Sequence, residues 1–142
     1  MTARVARVAL STGSRFINTL SIIPAKTTNA APPAVLLHGY GAGLGFYTLN
    51  YPSLGAWSAR RGVPVYSLDW LGMGRSARVP FKVKSKKSDI EGRVREAEGF
   101  FIDSLEEWRQ KMNLEQMTLV GHSLGSCLSS SKQVVSDFTA II

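Results

Sequence analysis

The sequence predicts an α/β fold of three layers, in which helices cover both faces of a mostly parallel sheet. Three short apolar runs, at residues 34–37, 63–68 and 117–120, are flanked by glycine or proline and are typical of strands buried on both faces. Helical patterns over residues 50–61 and 97–112 separate these runs. Because crossovers between strands that alternate with helices are right-handed, we expect the strands to run parallel.

The composition is that of a folded domain. The 142 residues are 44% hydrophobic and 19% charged, which is too apolar for a disordered tail. Cys127 is the single cysteine, which excludes an internal disulfide framework and a cysteine-built zinc site. No metal and no cofactor are expected, and no run reaches the roughly 18 apolar residues of a membrane span.

Residues 1–23 admit two interpretations. Residues with high β propensity lie on both sides of a turn signal at residues 11–14, which predicts a β-hairpin. The same segment has three arginines, several hydroxyl side chains and no acid, as mitochondrial transit peptides do. We favour the hairpin, and we expect an intracellular protein, mitochondrial or cytosolic, that associates with membranes peripherally.

The two helices have recognisable ends and faces. Pro52 lies where an early-helix proline is tolerated, and Gly62 is placed to end the first helix. Ser88 with Glu91 is the predicted N-terminal cap of the second helix. The second helix also has an apolar stripe with spacings of three and four residues, formed by Ala97, Phe101, Leu105, Trp108 and Met112.

The net charge of +7 is unevenly distributed along the chain. No acidic residue precedes Asp69, and a basic stretch runs from Arg75 to Arg95 with only Asp89 and Glu91 interrupting it. Such a stretch is a solvated loop or a surface for anionic phospholipid. Nucleic acid is not an expected partner, because Phe81 alone offers an aromatic ring for stacking among these lysines.

The pentapeptide from Gly121 to Gly125 has the pattern Gly-x-Ser-x-Gly and predicts a nucleophile elbow around Ser123. In this turn a strand runs directly into a helix and holds the serine in a strained backbone conformation. Flanking glycines avoid side-chain clashes where strand and helix pack closely. The pentapeptide alone is weak support for an active site, but the apolar run at residues 117–120 supplies the strand that it requires.

Acyl transfer by a serine needs backbone N–H groups that bind the developing oxyanion. One donor comes from the residue after the nucleophile, Leu124, and the other from the loop after an earlier strand, where Tyr40 is the candidate. The residues expected to support that loop are His38, Gly39 and Gly41. His122 is expected to pack beside the elbow, and neither histidine is placed to act as the general base.

The turn after the second apolar run is expected to be structural. Asp69 precedes a turn that contains Gly72 and Gly74. A carboxylate in this position more often accepts hydrogen bonds from turn amides, or from Ser76, than takes part in catalysis.

Four motifs occur in the order and roughly the spacing of the α/β-hydrolase family. They are His38-Gly-Tyr-Gly, Asp69-Trp-Leu-Gly-Met-Gly-Arg-Ser76, Glu96-Ala-Glu98 with the helix up to Trp108, and Gly121-His-Ser-Leu-Gly125. The middle two most resemble the lipid-handling branch, which holds lysophospholipases, N-acyl-phospholipid lipases, lysophosphatidate acyltransferases and the fungal cardiolipin-specific deacylase. The resemblance implies the N-terminal part of such a hydrolase, with Ser123 as nucleophile and a phospholipid or other acyl ester as substrate.

The sequence departs from the family pattern after the elbow. The family places an acid and then a histidine well downstream, whereas only 19 residues follow Ser123, with Asp137 as their one acid and no histidine. We therefore expect a truncated chain, with a partial domain at residues 24–126, an atypical tail at 127–142 and an unpaired sheet edge at 117–120.

Whether this chain is an enzyme is left open by its sequence. The first hypothesis is a serine hydrolase or acyltransferase for phospholipid acyl esters that is catalytically incompetent in this form, because it lacks the acid and histidine of the triad. The alternatives are a non-catalytic protein of the lipid surface with a regulatory role, and a fragment without function.

Overall fold

The structure is a computed structural model that describes residues 1–11, 13–28 and 31–131 and the backbone of a strand at 139–141. In chain order the elements are β1 (Thr2–Ala9), β2 (Phe16–Ile23), β3 (Ala34–Leu37), a 3-10 helix η1 (Leu44–Tyr47), α1 (Tyr51–Arg61), β4 (Val65–Leu68), α2 (Ile90–Lys111), β5 (Thr118–Gly121), α3 (Leu124–Ser129) and β6 (Thr139–Ile141). None of the helices in the described ranges has the length and apolar character needed to cross a bilayer.

The described strands form one sheet in the order β1-β2-β4-β3-β5-β6. The pairs β1–β2 and β2–β4 are antiparallel, whereas β4–β3, β3–β5 and β5–β6 are parallel. The first two strands form a hairpin that the Leu10 N–H closes by donating to the Arg15 carbonyl at 2.9 Å. The predicted α/β class, with a mostly parallel sheet and an N-terminal hairpin, is confirmed.

The sheet has a helical layer on each face. In β3, Val35 and Leu37 belong to the larger core, which contains Trp108 of α2. Leu36 points to the other face and packs with Leu54 of α1 in the smaller core. Because consecutive residues of a strand face opposite sides of the sheet, a continuous apolar run is what a strand between two helical layers requires.

The predicted cap of α2 is wrong by one residue. Asp89, not Ser88, is the N-cap residue, and its carboxylate accepts a hydrogen bond from the Gly92 N–H at 2.9 Å. This bond reaches the third residue of the helix, which is where an N-cap side chain satisfies an otherwise unpaired N–H.

The predicted unpaired edge at residues 117–120 is also wrong. Strand β6 pairs with β5 in parallel, with Thr118 opposite Thr139 and Val120 opposite Ile141. Sequence periodicity does not reveal this pairing, because a strand of three residues has no detectable pattern. Asp137 and its neighbours from 132 to 138 lie outside the described residues.

The parallel strands bring three connections to one edge of the sheet. Strands β3, β4 and β5 run in the same direction, so the segments that follow them, 38–50, 69–89 and 122–123, all leave from their carboxyl ends. In open α/β sheets this edge is where ligands bind.

Candidate active site

Ser123 occupies the sharp turn between β5 and α3. Its backbone has φ 55° and ψ −117°, a combination that L-residues adopt rarely and at a cost. The residue is exposed. Ser123 is thus an exposed serine on a strained backbone at the carboxyl edge of the sheet.

Two glycines allow the turn to be this tight. A Cβ atom on Gly125 would lie 2.2 Å from the Leu37 carbonyl oxygen, and one on Gly121 would lie 2.5 Å from the Gly125 carbonyl carbon. Both distances are far below van der Waals contact. Only glycine fits at these two positions, because α3 packs directly against the ends of β3 and β5.

Hydrogen bonds fix the turn on both sides. The His122 N–H donates to the Leu37 carbonyl at 3.0 Å, which ties the elbow to β3. The Ser126 hydroxyl donates to the Gly121 carbonyl at 2.7 Å. These bonds hold Ser123 in place on its strained backbone.

The loop after β3 lies directly against Ser123. A Cβ atom on Gly39 would be 3.0 Å from the Ser123 Cβ and 3.2 Å from the His122 Nδ1. The N–H groups of Tyr40 and Leu124 donate no hydrogen bond to an acceptor in the described part of the chain. Gly41, in the left-handed region at φ 70°, allows the loop to turn back after Tyr40.

His38 is fully buried, and its ring contacts both its own loop and the start of the connection after β4. Its Nε2 accepts a hydrogen bond from the Trp70 N–H at 3.1 Å, and its Nδ1 lies 2.7 Å from the Gly39 carbonyl. Since Nε2 is the acceptor, this pattern assigns the proton to Nδ1 and makes the ring neutral. With both nitrogens engaged, His38 has no site from which to take a proton from Ser123.

His122 is exposed, and its ring stacks on Phe46 of η1 with centroids 5.0 Å apart and planes at 28°. The imidazole therefore packs against the neighbouring segment, beside the elbow. Among the described contacts, none joins a histidine nitrogen to the Ser123 hydroxyl.

Asp69 holds three segments together. Its Oδ1 accepts from the Leu44 N–H at 2.6 Å, and its Oδ2 accepts at 2.8 Å from both the Arg75 N–H and the Asn18 Nδ2. A Cβ on Gly74, where φ is 51°, would lie 2.3 Å from the Asp69 Cγ. The carboxylate is thus engaged with loop amides.

The rest of this turn is equally local. The Ser76 hydroxyl donates to the Asp69 carbonyl at 2.6 Å and accepts from the Asn18 N–H at 2.9 Å. Gly72, at φ 83°, allows the reversal between them. Asn18 and Leu44 could not be predicted as partners of Asp69, because neither lies in a motif and both are more than 20 positions away from it.

Two tyrosines fasten the segment that contains η1. The Tyr47 hydroxyl donates to the Leu37 carbonyl at 3.0 Å. The Tyr51 hydroxyl donates to the Leu44 carbonyl and accepts from the Ser67 hydroxyl. Burial raises the pKa of both tyrosines. Both hydroxyls therefore remain protonated donors at neutral pH, and η1 is held over the carboxyl ends of β3 and β4.

This arrangement matches a known family. A family model described as the α/β hydrolase fold matches residues 32–131. The chain belongs to the α/β-hydrolase fold family. In the structure, the matched range holds both the Ser123 turn and the loop after β3.

Curated α/β-hydrolase relatives act on lipids, according to their names. The chain is 40% identical to the mouse 1-acylglycerol-3-phosphate O-acyltransferase ABHD5, over 87% of this chain and 30% of the relative. It is 38% identical to a 1-acylglycerol-3-phosphate O-acyltransferase of Arabidopsis thaliana, over 84% of this chain and 25% of the relative. It is 42% identical to the human (lyso)-N-acylphosphatidylethanolamine lipase, over 75% and 27%. The chain thus spans less than a third of each relative, and its truncation stays a prediction.

Solved structures share the α/β-hydrolase fold at low identity. Proline iminopeptidase from Mycobacterium smegmatis superposes with a TM-score of 0.66 at 18% identity, over 96% of this chain and 41% of that one. A bacterial membrane phospholipase A superposes with a TM-score of 0.61 at 17% identity, over 89% of this chain and 34% of that one.

The described residues contain no group of three or more His, Cys, Asp or Glu side chains that could hold a metal ion.

Proposed function

We propose that Ser123 is the nucleophile of an acyl-transfer reaction on a glycerophospholipid or a related acyl ester. The observation that carries the proposal is the backbone of Ser123, a positive-φ residue between β5 and α3. A protein maintains such strain only where the surrounding structure enforces it, and such positions cluster at active sites. The acyltransferase and lipase names of the relatives support an acyl ester of a lipid as substrate.

In this proposal the Ser123 oxygen attacks the ester carbonyl carbon, and the N–H groups of Tyr40 and Leu124 bind the oxyanion that forms. The bond from the carbonyl carbon to the ester oxygen breaks, and the alcohol leaves with a proton that solvent water carries over from the Ser123 hydroxyl. The acyl group on Ser123 then passes to water or to an acceptor hydroxyl, whose proton returns to the Ser123 oxygen. The chain has two histidines: the ring of His38 is locked by Trp70 and that of His122 is stacked on Phe46. Neither one takes the serine proton, so these 142 residues react slowly.

A fluorophosphonate probe with mass-spectrometric mapping tests Ser123. We expect slow labelling, over hours, restricted to Ser123 and abolished in Ser123→Ala. Ser130→Ala is the matched control, because Ser130 is another exposed serine near α3 and its loss leaves the elbow intact. Labelling that persists in Ser123→Ala contradicts the role of nucleophile. Labelling complete within minutes contradicts the assignment that neither histidine acts as base.

A second function is supported by the basic stretch between Arg75 and Arg95. The side chains of Lys82, Lys84, Lys86 and Lys87 are exposed, and none forms an ion pair with a carboxylate of the described residues. They lie in the connection from β4 to α2, at the same edge as Ser123. We propose that this stretch binds anionic phospholipid and orients the Ser123 turn toward the bilayer.

Sedimentation with phosphatidylcholine vesicles, with and without phosphatidylserine, tests the lipid surface. Replacing the four lysines by alanine should weaken binding by about 4 kcal/mol at low salt, roughly a thousandfold, since each cation near such a surface contributes about 1 kcal/mol. The control replaces four exposed cations elsewhere, Arg4, Lys26, Arg60 and Arg61. Equal loss of vesicle binding in both variants would show only an effect of net charge. Unchanged binding in the four-lysine variant would contradict the proposal.

A further inference from the structure

One carboxylate on α2 binds the connection at residues 77–89, which we call the basic loop. The Glu96 Oε2 accepts from the Lys84 N–H at 2.6 Å, and its Oε1 accepts from the Ser85 N–H at 2.9 Å and from the Ser85 hydroxyl. We call these three hydrogen bonds the Glu96 clasp. The Ser85 hydroxyl and the Lys84 amide hold the pKa of Glu96 below its ordinary value, so the carboxylate stays ionised at neutral pH.

The other hydrogen bonds of the basic loop lie mainly at its two ends: the Ala77 N–H donates to the Phe16 carbonyl, and the Asp89 carboxylate caps α2. Residues 77–89 form no helix or strand. The Phe81 ring packs on the Phe100 ring of α2 with centroids 4.6 Å apart. The path of the loop across α2 therefore depends largely on the Glu96 clasp and on this ring contact.

The Ser85 hydroxyl lies between the first turn of α2 and two carboxylates, and its residue also lines an open pocket on the surface of α2. A Cβ atom on Gly92, in the first turn of α2, would lie 2.8 Å from the Ser85 Oγ and 2.1 Å from the Asp89 Oδ2. The hydroxyl thus has the Gly92 backbone on one side and the Glu96 carboxylate on another, with the Asp89 carboxylate close by. A negatively charged group added to the Ser85 oxygen would be repelled by the Glu96 and Asp89 carboxylates.

We propose that Ser85 is a phosphorylation site, and that its phosphorylation opens the Glu96 clasp and releases the basic loop from α2. The enzyme would be a protein kinase with an acidic substrate groove, because two lysines precede Ser85 within three residues and two follow it directly. In the reaction the Ser85 Oγ forms a bond to the γ-phosphorus of a nucleoside triphosphate. The bond from that phosphorus to the bridging oxygen breaks, and the nucleoside diphosphate leaves. The hydroxyl proton passes to the catalytic base of the kinase.

The charge change has two consequences. A phosphoserine has a charge of about −2 at pH 7, no longer donates to Glu96, and repels both neighbouring carboxylates. It also reduces the local charge of the four lysines from +4 to about +2, which weakens attraction to anionic lipid. The second consequence rests on the proposed lipid surface, whereas the first does not.

The modification is tested on the whole chain and on a peptide of residues 80–91. Both are incubated with ATP and a kinase that selects serines flanked by basic residues, and the phosphate is located by mass spectrometry. We expect phosphate on Ser85 in both. Phosphate on Ser88 alone, or none on Ser85 of the whole chain, overturns the assignment.

Release is tested by hydrogen exchange at the Lys84 and Ser85 amides, which donate to Glu96. Ser85→Glu and Glu96→Gln should accelerate exchange about tenfold, since each weakens hydrogen bonds to an ionised group. Ser88→Glu is the matched control: it adds the same charge to the same loop, but Ser88 makes no bond in the Glu96 clasp, so exchange should remain at the wild-type rate. Unchanged or slower exchange in Ser85→Glu overturns the release.

Vesicle sedimentation of the phosphorylated chain separates the two proposals. If the unmodified chain does not bind anionic vesicles, the lipid surface fails, yet the exchange experiment still decides whether the loop is released. If the unmodified chain binds and the phosphorylated chain binds equally well, the predicted effect of the phosphate on lipid binding is wrong while the lipid surface stands.

Discussion

At the scale of single residues, the carboxyl edge of the sheet depends on a few side chains that join segments far apart in sequence. Asp69 connects β2, the start of η1 and the turn at Arg75 through three hydrogen bonds. A buried carboxylate is tolerated there because both of its oxygens accept hydrogen bonds. The loop that carries Tyr40 is placed by this carboxylate as well as by its own glycines.

Replacing Asp69 by alanine should destabilise the fold by about 3 kcal/mol or more, because buried donors that lose their acceptor cost roughly 1–3 kcal/mol each. The free energy of unfolding in urea measures the loss. Asp103→Ala is the control, since Asp103 is exposed and hydrogen-bonds to no described residue. Equal stability of the two variants would show that the Asp69 contacts do not support the loops.

Gly125→Ala should be among the most damaging single changes in the chain. Its Cβ would lie 2.2 Å from the Leu37 oxygen, so α3 must move away from β3 and take Ser123 with it. We expect a loss of several kcal/mol, at about the upper end for single substitutions, and no labelling of Ser123 by the fluorophosphonate. At Gly45 a Cβ would meet nothing within 4 Å, and Gly45→Ala should change neither property.

At the scale of elements, local pattern was enough to find most of the sheet and both long helices. The apolar runs at 34–37 and 117–120 became β3 and, shifted by one residue, β5. Burial on two faces leaves a continuous apolar signature that needs no knowledge of partners. Strand β6 and helix η1 could not be found, because one exists only by pairing with β5 and the other is held by Tyr47 and Tyr51.

The contacts at the sheet edge and in the basic loop likewise fall into those that local sequence predicts and those that it does not. The Ser123 turn is encoded locally, in five consecutive residues. In contrast, the neutral state of His38 depends on the amide of Trp70, 32 positions away, and the Glu96 clasp depends on a loop with no periodicity. Contacts of this kind follow from tertiary packing and have no sequence period to detect.

An ion pair in the carboxyl half of α2 makes the free energy of unfolding depend on pH. The Arg109 guanidinium donates to both oxygens of Glu106, at 2.7 and 2.6 Å, and holds the pKa of Glu106 below its ordinary value. The stability from this pair is present above the ordinary pKa of a glutamate and is lost as the pH falls through the lowered value in the folded chain.

Glu106→Gln should therefore reduce the fall in unfolding free energy between about pH 5 and pH 3, by roughly 0.5 kcal/mol, because the pair is partly exposed. Urea midpoints measured at several pH values test this. Glu98→Gln, on the same helix, removes a carboxylate without an ion pair to a described residue. An equal change in both variants would mean that the Arg109 contact adds nothing.

At the scale of the whole molecule, the N-terminal hairpin decides whether the sheet is complete. Strand β2 lies between β1 and β4, and its Ile17 and Ile22 are buried, one in each core. The Trp108 Nε1 of α2 donates to the Thr19 hydroxyl at 3.0 Å. The side chains of β1, in contrast, are mostly exposed.

Deleting residues 1–23 should prevent folding, because it removes apolar side chains from both cores, exposes the edge of β4 and leaves Asp69 without Asn18. Deleting residues 1–9 removes β1 alone and should lower the urea midpoint while preserving cooperative unfolding, since β2 still covers β4. Solubility and urea unfolding followed by Trp fluorescence distinguish the two deletions. If the chain without residues 1–23 unfolds cooperatively at the wild-type midpoint, the segment is dispensable for folding, as a transit peptide would be.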